Sequence, residues 1–284
     1  MLGRPVASRD GRTPLAARPG DFRFAAAPGS TATNRTPMDE TTKWLILAAG
    51  ALAAGVVNTL AGGGSLLTVP LLVFMGLPAT TANGTNRIGV LFQNFVSTMR
   101  FRKEGLDGIR QALPVLIPVL VGAAAGALVA SRMSAEIFRQ VFGVAMIFLL
   151  IPMLRHSRPR PADPLEPRSL FVNTLVFFGI GVYGGAIQAG VGLFLIAALA
   201  RSGLDLVRAN AIKVVIIGLL TLVAVPIFVL QGQVDWRLAS ALVVGFGLGG
   251  ELGARAAVRG GERLIRPVLV VSVLAMAGRM LGLY

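Results

Sequence analysis

The chain has 284 residues, 54% of them hydrophobic and only 14% charged, with a mean hydropathy of +0.73, proportions that exclude an ordinary soluble globular domain. It contains no cysteine and a single histidine, His156, in a polar stretch, which excludes thiolate catalysis, disulfides and cysteine metal sites and argues against a histidine-based catalytic or metal centre. The net charge of +14 lies mostly in short loops between apolar segments, the pattern that orients a membrane protein and not the basic patch of a nucleic-acid binder.

In chain order, residues 1–37 come first: polar, rich in Arg, Pro, Gly and Ala, and without the apolar core of a secretory signal. They read either as a disordered basic tail or as translated sequence upstream of a true start at Met38. A first repeat, 38–154, then carries apolar stretches at about Trp44 to Ala61, Gly84 to Phe101, Ile109 to Ala130 and Ile137 to Leu154, with a shorter piece, Ser65 to Leu77, after the first. The linker 155–169, with four prolines, separates it from a second repeat, 170–284. That repeat has stretches at about Leu170 to Ile187, Ala209 to Leu230, Trp236 to Ala257 and Leu264 to Leu283, and its own short piece, Val191 to Ala200. A hydrocarbon core of ~30 Å takes ~20 helical residues to cross. Continuous apolar runs of this length exclude the alternation of a membrane barrel, so the predicted fold is an all-α integral membrane bundle.

The halves align at one spacing. Gly63 and Gly190 stand 127 residues apart, and the same interval pairs Leu66 with Leu193, Ala82-Asn83 with Ala209-Asn210, Gly105 with Gly232, Gly126-Ala127 with Gly253-Ala254 and Arg139 with Arg266. Each copy is then a helix, a glycine-rich break, a short apolar piece and three more helices. If the short pieces count as crossings, each copy has an odd number of spans and the two are inverted. In the loops between spans, ten crossings place fourteen Lys and Arg on one side and three, Arg132, Arg139 and Arg237, on the other, whereas eight divide the same residues almost evenly. The positive-inside rule therefore predicts inverted repeats, a cytoplasmic 155–169 linker and both termini outside. An outside amino terminus suits a start at Met38 better than an arginine-rich tail.

The breaks are where chemistry is expected. Gly62-Gly63-Gly64-Ser65 interrupts the helical pattern, and a helix starting near Ser65 would point its N–H groups and positive dipole end into the interruption, a suitable place for an anion. Gly190-Val191-Gly192 holds the related position, and paired interruptions in an inverted repeat point to a transporter's substrate site. The competing reading is that these glycines serve close helix packing. A second cluster, Ala82-Asn83-Gly84-Thr85-Asn86-Arg87, lies at a predicted helix start and is matched by Ala209-Asn210-Ala211-Ile212-Lys213. Asn83 and Asn210 there read as site residues or as simple caps. Lys213, among aliphatic neighbours, either faces a cavity, a partner or an anion, or snorkels to the interface. Glu251, an acid inside a predicted span, is a candidate for carrying a coupling proton or an ion-pair partner of Arg255 one turn on.

Asn58-Thr59-Leu60-Ala61-Gly62-Gly63-Gly64-Ser65, then Pro70-Leu71-Leu72, Gly76 and Ala82-Asn83-Gly84-Thr85-Asn86, resemble the sulfite exporter TauE/SafE family of membrane permeases over about Trp44 to Tyr284. Gly181-Val182-Tyr183-Gly184-Gly185 with Gln188-Ala189-Gly190-Val191-Gly192 resembles that family's second motif, without the full glycine triplet and with Ala211-Ile212 where the first copy has Gly-Thr. The resemblance implies transport of small, often sulfur-containing anions such as sulfite or sulfonates, or of related organic acids, across the cytoplasmic membrane. The expected substrate site comprises Asn58, Gly62, Gly63, Gly64, Ser65, Asn83, Thr85, Asn86, Gln188, Gly190, Gly192, Asn210 and Lys213, alternately exposed by rocking of the repeats. The expected partners are the bilayer and a small anion, with no nucleic acid and no cofactor. An intramembrane enzyme would need a nucleophile and a base, and the spans offer neither histidine, cysteine nor an acidic pair. The rival reading is a structural or assembly membrane protein.

Overall fold

A computed structural model describes residues 40–154, 169–200 and 204–259. The 1–37 extension, nearly all of the 155–169 linker and the 264–283 span lie outside the described residues. Among those described, the chain is helical throughout: α1 (Glu40–Ala61), α2 (Ser65–Phe74), α3 (Ala79–Lys103), α4 (Ile109–Ser131), α5 (Ala135–Leu154), α6 (Leu170–Ala186), α7 (Val191–Ala200), α8 (Leu206–Leu230) and α9 (Trp236–Val258). Four of these, α1, α4, α8 and α9, are long and apolar enough to cross a membrane.

Large apolar side chains point outward, as Ile117, Phe171 and Val244 do, while Asn58, Thr59, Asn83, Asn86, Arg87, Gln93 and Lys213 are buried. That inversion is what a lipid solvent imposes: hydrocarbon tails accept aliphatic surface at no cost, and polar groups must find partners inside.

Two helix starts differ from the sequence expectation. α3 begins at Ala79 and not near Gly84, because Pro78, with φ −54° and ψ 142°, sits at its N-cap. Asn83 is therefore an interior residue and caps nothing. α8 begins at Leu206, where the Asp205 carboxylate accepts from the backbone N–H of Val207 and Arg208, at 3.1 and 3.0 Å. Asn210 likewise lies inside the helix. In both cases the polar first turns read as loop by hydropathy, yet their side chains are paired or enclosed within the protein.

The short helices turn back along the helices that precede them. A Cβ on Gly64 would stand 2.3 Å from the carbonyl oxygen of Ala54, and one on Gly50 would stand 2.7 Å from Leu71 Cδ2, so α2 returns antiparallel to α1. Val191 lies against Gly184, and the ring of Phe194 meets Tyr183 edge-on at 5.1 Å, so the first turn of α7 folds back on the end of α6. Each short helix has ten residues, about 15 Å, roughly half a hydrocarbon core.

The halves interleave. α1 packs mainly on α9, and α4 mainly on α6; α3 packs on α9, and α8 on α4. These contacts run on glycine: a Cβ on Gly249 would meet Leu52 O at 2.3 Å, and one on Gly185 would meet Ala123 O at 2.0 Å. Between helices already dissolved in hydrocarbon, association depends on close van der Waals fit, which small residues permit. The packing role expected as an alternative for glycine is thus real in the long helices. The bundle forms two groups, α1, α2 and α3 with α9, and α6, α7 and α8 with α4, joined where α3 crosses α8.

Candidate functional site

The two breaks touch. Gly62 has φ +78°, a backbone conformation costly for residues with a Cβ, and a Cβ there would stand 2.4 Å from Gly192 Cα. Gly190, at φ +72°, turns the second break, with Leu149 pressed against it. Gly62, Gly63, Gly64, Ser65, Gly190 and Gly192 are all buried, so the meeting point is occluded.

Each break follows a helix end, and the last carbonyls of each are held by a buried cation from the other half. Lys213 of α8 donates to the carbonyl oxygens of Asn58 (3.2 Å) and Thr59 (2.8 Å) at the end of α1. It is fully buried, so the snorkelling expectation is corrected: its stem passes Gly192, whose added Cβ would meet Lys213 Cδ at 3.0 Å, and its ammonium ends inside the bundle. Arg87 of α3 donates to the carbonyl oxygens of Gly184 (3.2 Å), Gly185 (2.5 Å) and Ala186 (3.1 Å) at the end of α6, with its guanidinium 4.7 Å from the centre of the Phe228 ring. A cation at a helix C-terminus meets unsatisfied carbonyls and about half a negative charge, which is why both positions tolerate one.

The remaining polar side chains tie the first break to α3. Asn58 Nδ2 donates to Gln93 Oε1 at 2.6 Å, Gln93 Nε2 to Thr59 Oγ1 at 2.7 Å, and the Thr59 and Ser97 hydroxyls lie 3.1 Å apart. Asn58 Oδ1 in turn accepts from the Gly64 N–H at 3.3 Å. Asn86 Nδ2 donates to Ser65 Oγ at 2.9 Å, and Asn86 Oδ1 accepts from Thr68 Oγ1. Asn83 Nδ2 reaches the second break instead, donating to Ala186 O at 3.0 Å. Gln188, in that break, donates to Thr221 Oγ1 at 3.0 Å from an unusual left-handed backbone, φ +64°. The amide oxygens of Asn83, Gln188 and Asn210 are buried without a hydrogen-bond partner.

Two expected residues stand apart. Thr85 Oγ1 accepts from the Asp235 N–H at 2.9 Å and so fastens the turn between α8 and α9. Glu251 pairs with Arg255, at 2.8 Å, and with Arg100 of α3, at 3.5 Å, which favours its ion-pair reading. Conversely, sequence reasoning passed over Arg87, Gln93 and Ser97. The signal was present: Asn86, Gln93 and Ser97 recur at intervals of seven and four, a polar stripe on one face of α3.

With this geometry established, comparison with known proteins places it. Residues 46–280 match the family model described as sulfite exporter TauE/SafE. A probable membrane transporter protein, ORF9, of Sinorhizobium sp is 28% identical over 82% of this chain and 90% of its own length. The probable membrane transporter protein YfcA of Escherichia coli K12 is 29% identical over 81% of this chain and 87% of its own, and a probable membrane transporter protein of Haemophilus influenzae is 28% identical over 80% and 90%. No solved structure matches the chain.

Proposed function

This chain belongs to the sulfite exporter TauE/SafE family of multi-pass membrane transporters, and we propose that it is a gradient-driven permease for a small anion, held between the two glycine breaks. The observation that carries this reading is the meeting of Gly62 with Gly192 beside the buried Lys213, with a second buried cation, Arg87, on the end of α6. Sulfite, a sulfonate or a related organic acid is the substrate class to which the family description points.

In this reading the α1–α2 and α6–α7 hairpins are re-entrant, entering from opposite faces and meeting inside the membrane. A re-entrant hairpin returns the chain to the side it left, just as two full crossings do. The uneven division of loop arginines and lysines is therefore kept without asking a ten-residue helix to span the core. Residues 38–154 and 170–284 are the two inverted copies, and 155–169 is their cytoplasmic linker.

The moving bodies, however, are not the two copies. α9 packs with α1 and α3, and α4 with α6 and α8, so each body takes helices from both halves. Lys213 holds α1 from the opposite body, and Arg87 holds α6 from the opposite body. An anion that takes either cation from its carbonyls loosens a link between the bodies, which couples binding to alternating access. Uptake of radiolabelled sulfite and a panel of sulfonates into vesicles tests the reading. Absence of flux for every anion, or undiminished flux in the Lys213→Ala, Asn83→Ala double variant, would falsify it.

A further inference from the structure

The 127-residue interval recurs in the backbone where α3 and α8 end. Leu106 N donates to Phe101 O and Gln233 N to Phe228 O, both at 2.9 Å, and the glycines that turn the chain, Gly105 and Gly232, have φ +78° and +67°. Phe101 and Phe228 therefore hold the same place in the last turn of their helices, before the same glycine stop. Both are buried. Along the seam that joins the two bodies, α3 and α8 lie antiparallel. The Phe228 ring lies under Arg87, and a Cβ on Gly84 would stand 3.2 Å from Phe228 Cβ; Gly218 lies beside Asn94; and Phe101 shares a small apolar cluster with Ala211 and Val214. Each end of the seam is filled by one phenylalanine that crosses from its own body to the other. The positions the two rings meet also correspond, since Gly84 and Ala211, like Arg87 and Val214, stand 127 residues apart.

Resting on the permease reading, we propose that Phe101 and Phe228 are the two plugs of the transport path, one closing the seam toward each face of the membrane. A seam between rocking bodies must open at one end while the other stays shut. A packed aromatic ring fills that end with apolar area and excludes water, which is how a hydrophobic constriction stops an ion. Phe101 adjoins Arg100, Arg102 and Lys103 and so closes the arginine-rich, cytoplasmic side; Phe228 closes the side of Arg237. The plugs are unequal. The Arg87 guanidinium lies 4.7 Å from the centre of the Phe228 ring, where Phe101 meets the aliphatic Val214. Arg87 also holds the end of α6, so an anion that draws it from those carbonyls releases the outer plug in the same movement. Between the plugs stands Asn94, seven residues from Arg87 and seven from Phe101, on the same face of α3. It is buried, and its amide nitrogen donates only along its own helix, to Val90 O at 2.7 Å.

The protein has no cysteine, so Asn94→Cys supplies a single thiol midway along the seam. Membrane vesicles of both orientations carrying the full chain are treated with the impermeant anion sulfonatoethyl methanethiosulfonate, and the rate of modification is measured without substrate. Phe101→Ala is expected to raise the rate about tenfold or more in inside-out vesicles and to leave it unchanged in right-side-out ones, because labelling follows the population open toward the reagent. Phe228→Ala should do the reverse. Phe101→Leu and Phe228→Leu keep most of the packing and should show the same sidedness at about threefold, so the result does not depend on the alanine variants folding. Acceleration on both faces in each variant, which a merely loosened bundle would give, overturns the proposal, as does acceleration in neither. Sided acceleration with no flux of any anion removes the permease reading and leaves two closures; flux without sided acceleration removes the plugs and leaves the permease.

Discussion

The first and second breaks solve one problem with different residues. The first uses three glycines, a lysine from α8 on two carbonyls, and an amide and hydroxyl network through Asn58, Gln93, Thr59 and Ser97. The second uses one turning glycine, a glutamine forced to φ +64°, the Tyr183 hydroxyl donating to Ala189 O at 2.6 Å, and an arginine from α3 on three carbonyls. Both halves meet the same requirement, that a helix ending inside a membrane protein have its last carbonyls satisfied. A one-residue shift along a helix turns a side chain by about 100°. Arg87 stands 127 residues before Val214 and not before Lys213, so the two cations do not occupy matching positions.

The comparison can be broken most severely where the breaks touch. Gly62→Ala places a Cβ against Gly192 and strains a positive φ, and is expected to cost about 3 kcal/mol or more, read as a lowered Tm in detergent. Gly76→Ala is its control: φ is +99° there but nothing lies within 4 Å of a new Cβ, so only the backbone term of about 1 kcal/mol should appear. Similar losses for the two would remove the contact from the argument.

Next in size are the cations. Arg87→Met and Lys213→Met each strand buried carbonyls, at about 1–3 kcal/mol, and the arginine variant should be the less stable: Gly184 and Gly185 lose their donor while Ala186 keeps Asn83, whereas without Lys213 only Thr59 does, since Asn58 O keeps the Gly62 N–H. Both should lower flux at least about tenfold, as expected when a charge-assisted contact to the anion is lost. Flux that survives in one variant would show that the breaks are unequal in function as well as in residues.

A finer test concerns Gln188. Gln188→Gly relieves the left-handed backbone while losing the bond to Thr221, two effects of about 1 kcal/mol that nearly cancel. An unchanged Tm with reduced flux would assign the side chain to transport. The smallest change is expected from Glu251→Gln: the pairs with Arg255 and Arg100 are partly exposed, and their loss should cost about 0.5 kcal/mol and leave flux intact. A large flux loss would return Glu251 to the coupling role.

Much of the architecture was legible in the residues. Apolar runs marked an all-helical membrane bundle, and the two glycine interruptions placed the breaks within a residue or two. The helix starts at Ala79 and Leu206 were not, because hydropathy counts Thr80, Asn83 and Asn86 as loop when the protein itself supplies their solvent. Lys213 was visible as an anomaly among aliphatic neighbours. Arg87 was hidden because it follows a polar cluster and looks like the tail of a turn.

By itself, then, the sequence determined the solvent of the chain, its helical class and where its helices must break, since these depend on local composition and on which residues tolerate a helix. Only the tertiary structure decided that the breaks meet, that the short helices turn back, and that each half's cation serves the other half's helix end. Those outcomes rest on partners far apart along the chain, Lys213 with Asn58 across 155 residues and Arg87 with Gly184 across 97. Such pairs leave no periodicity to read. They exist because in a dry interior each freed carbonyl takes a donor from whichever helix the packing brings beside it.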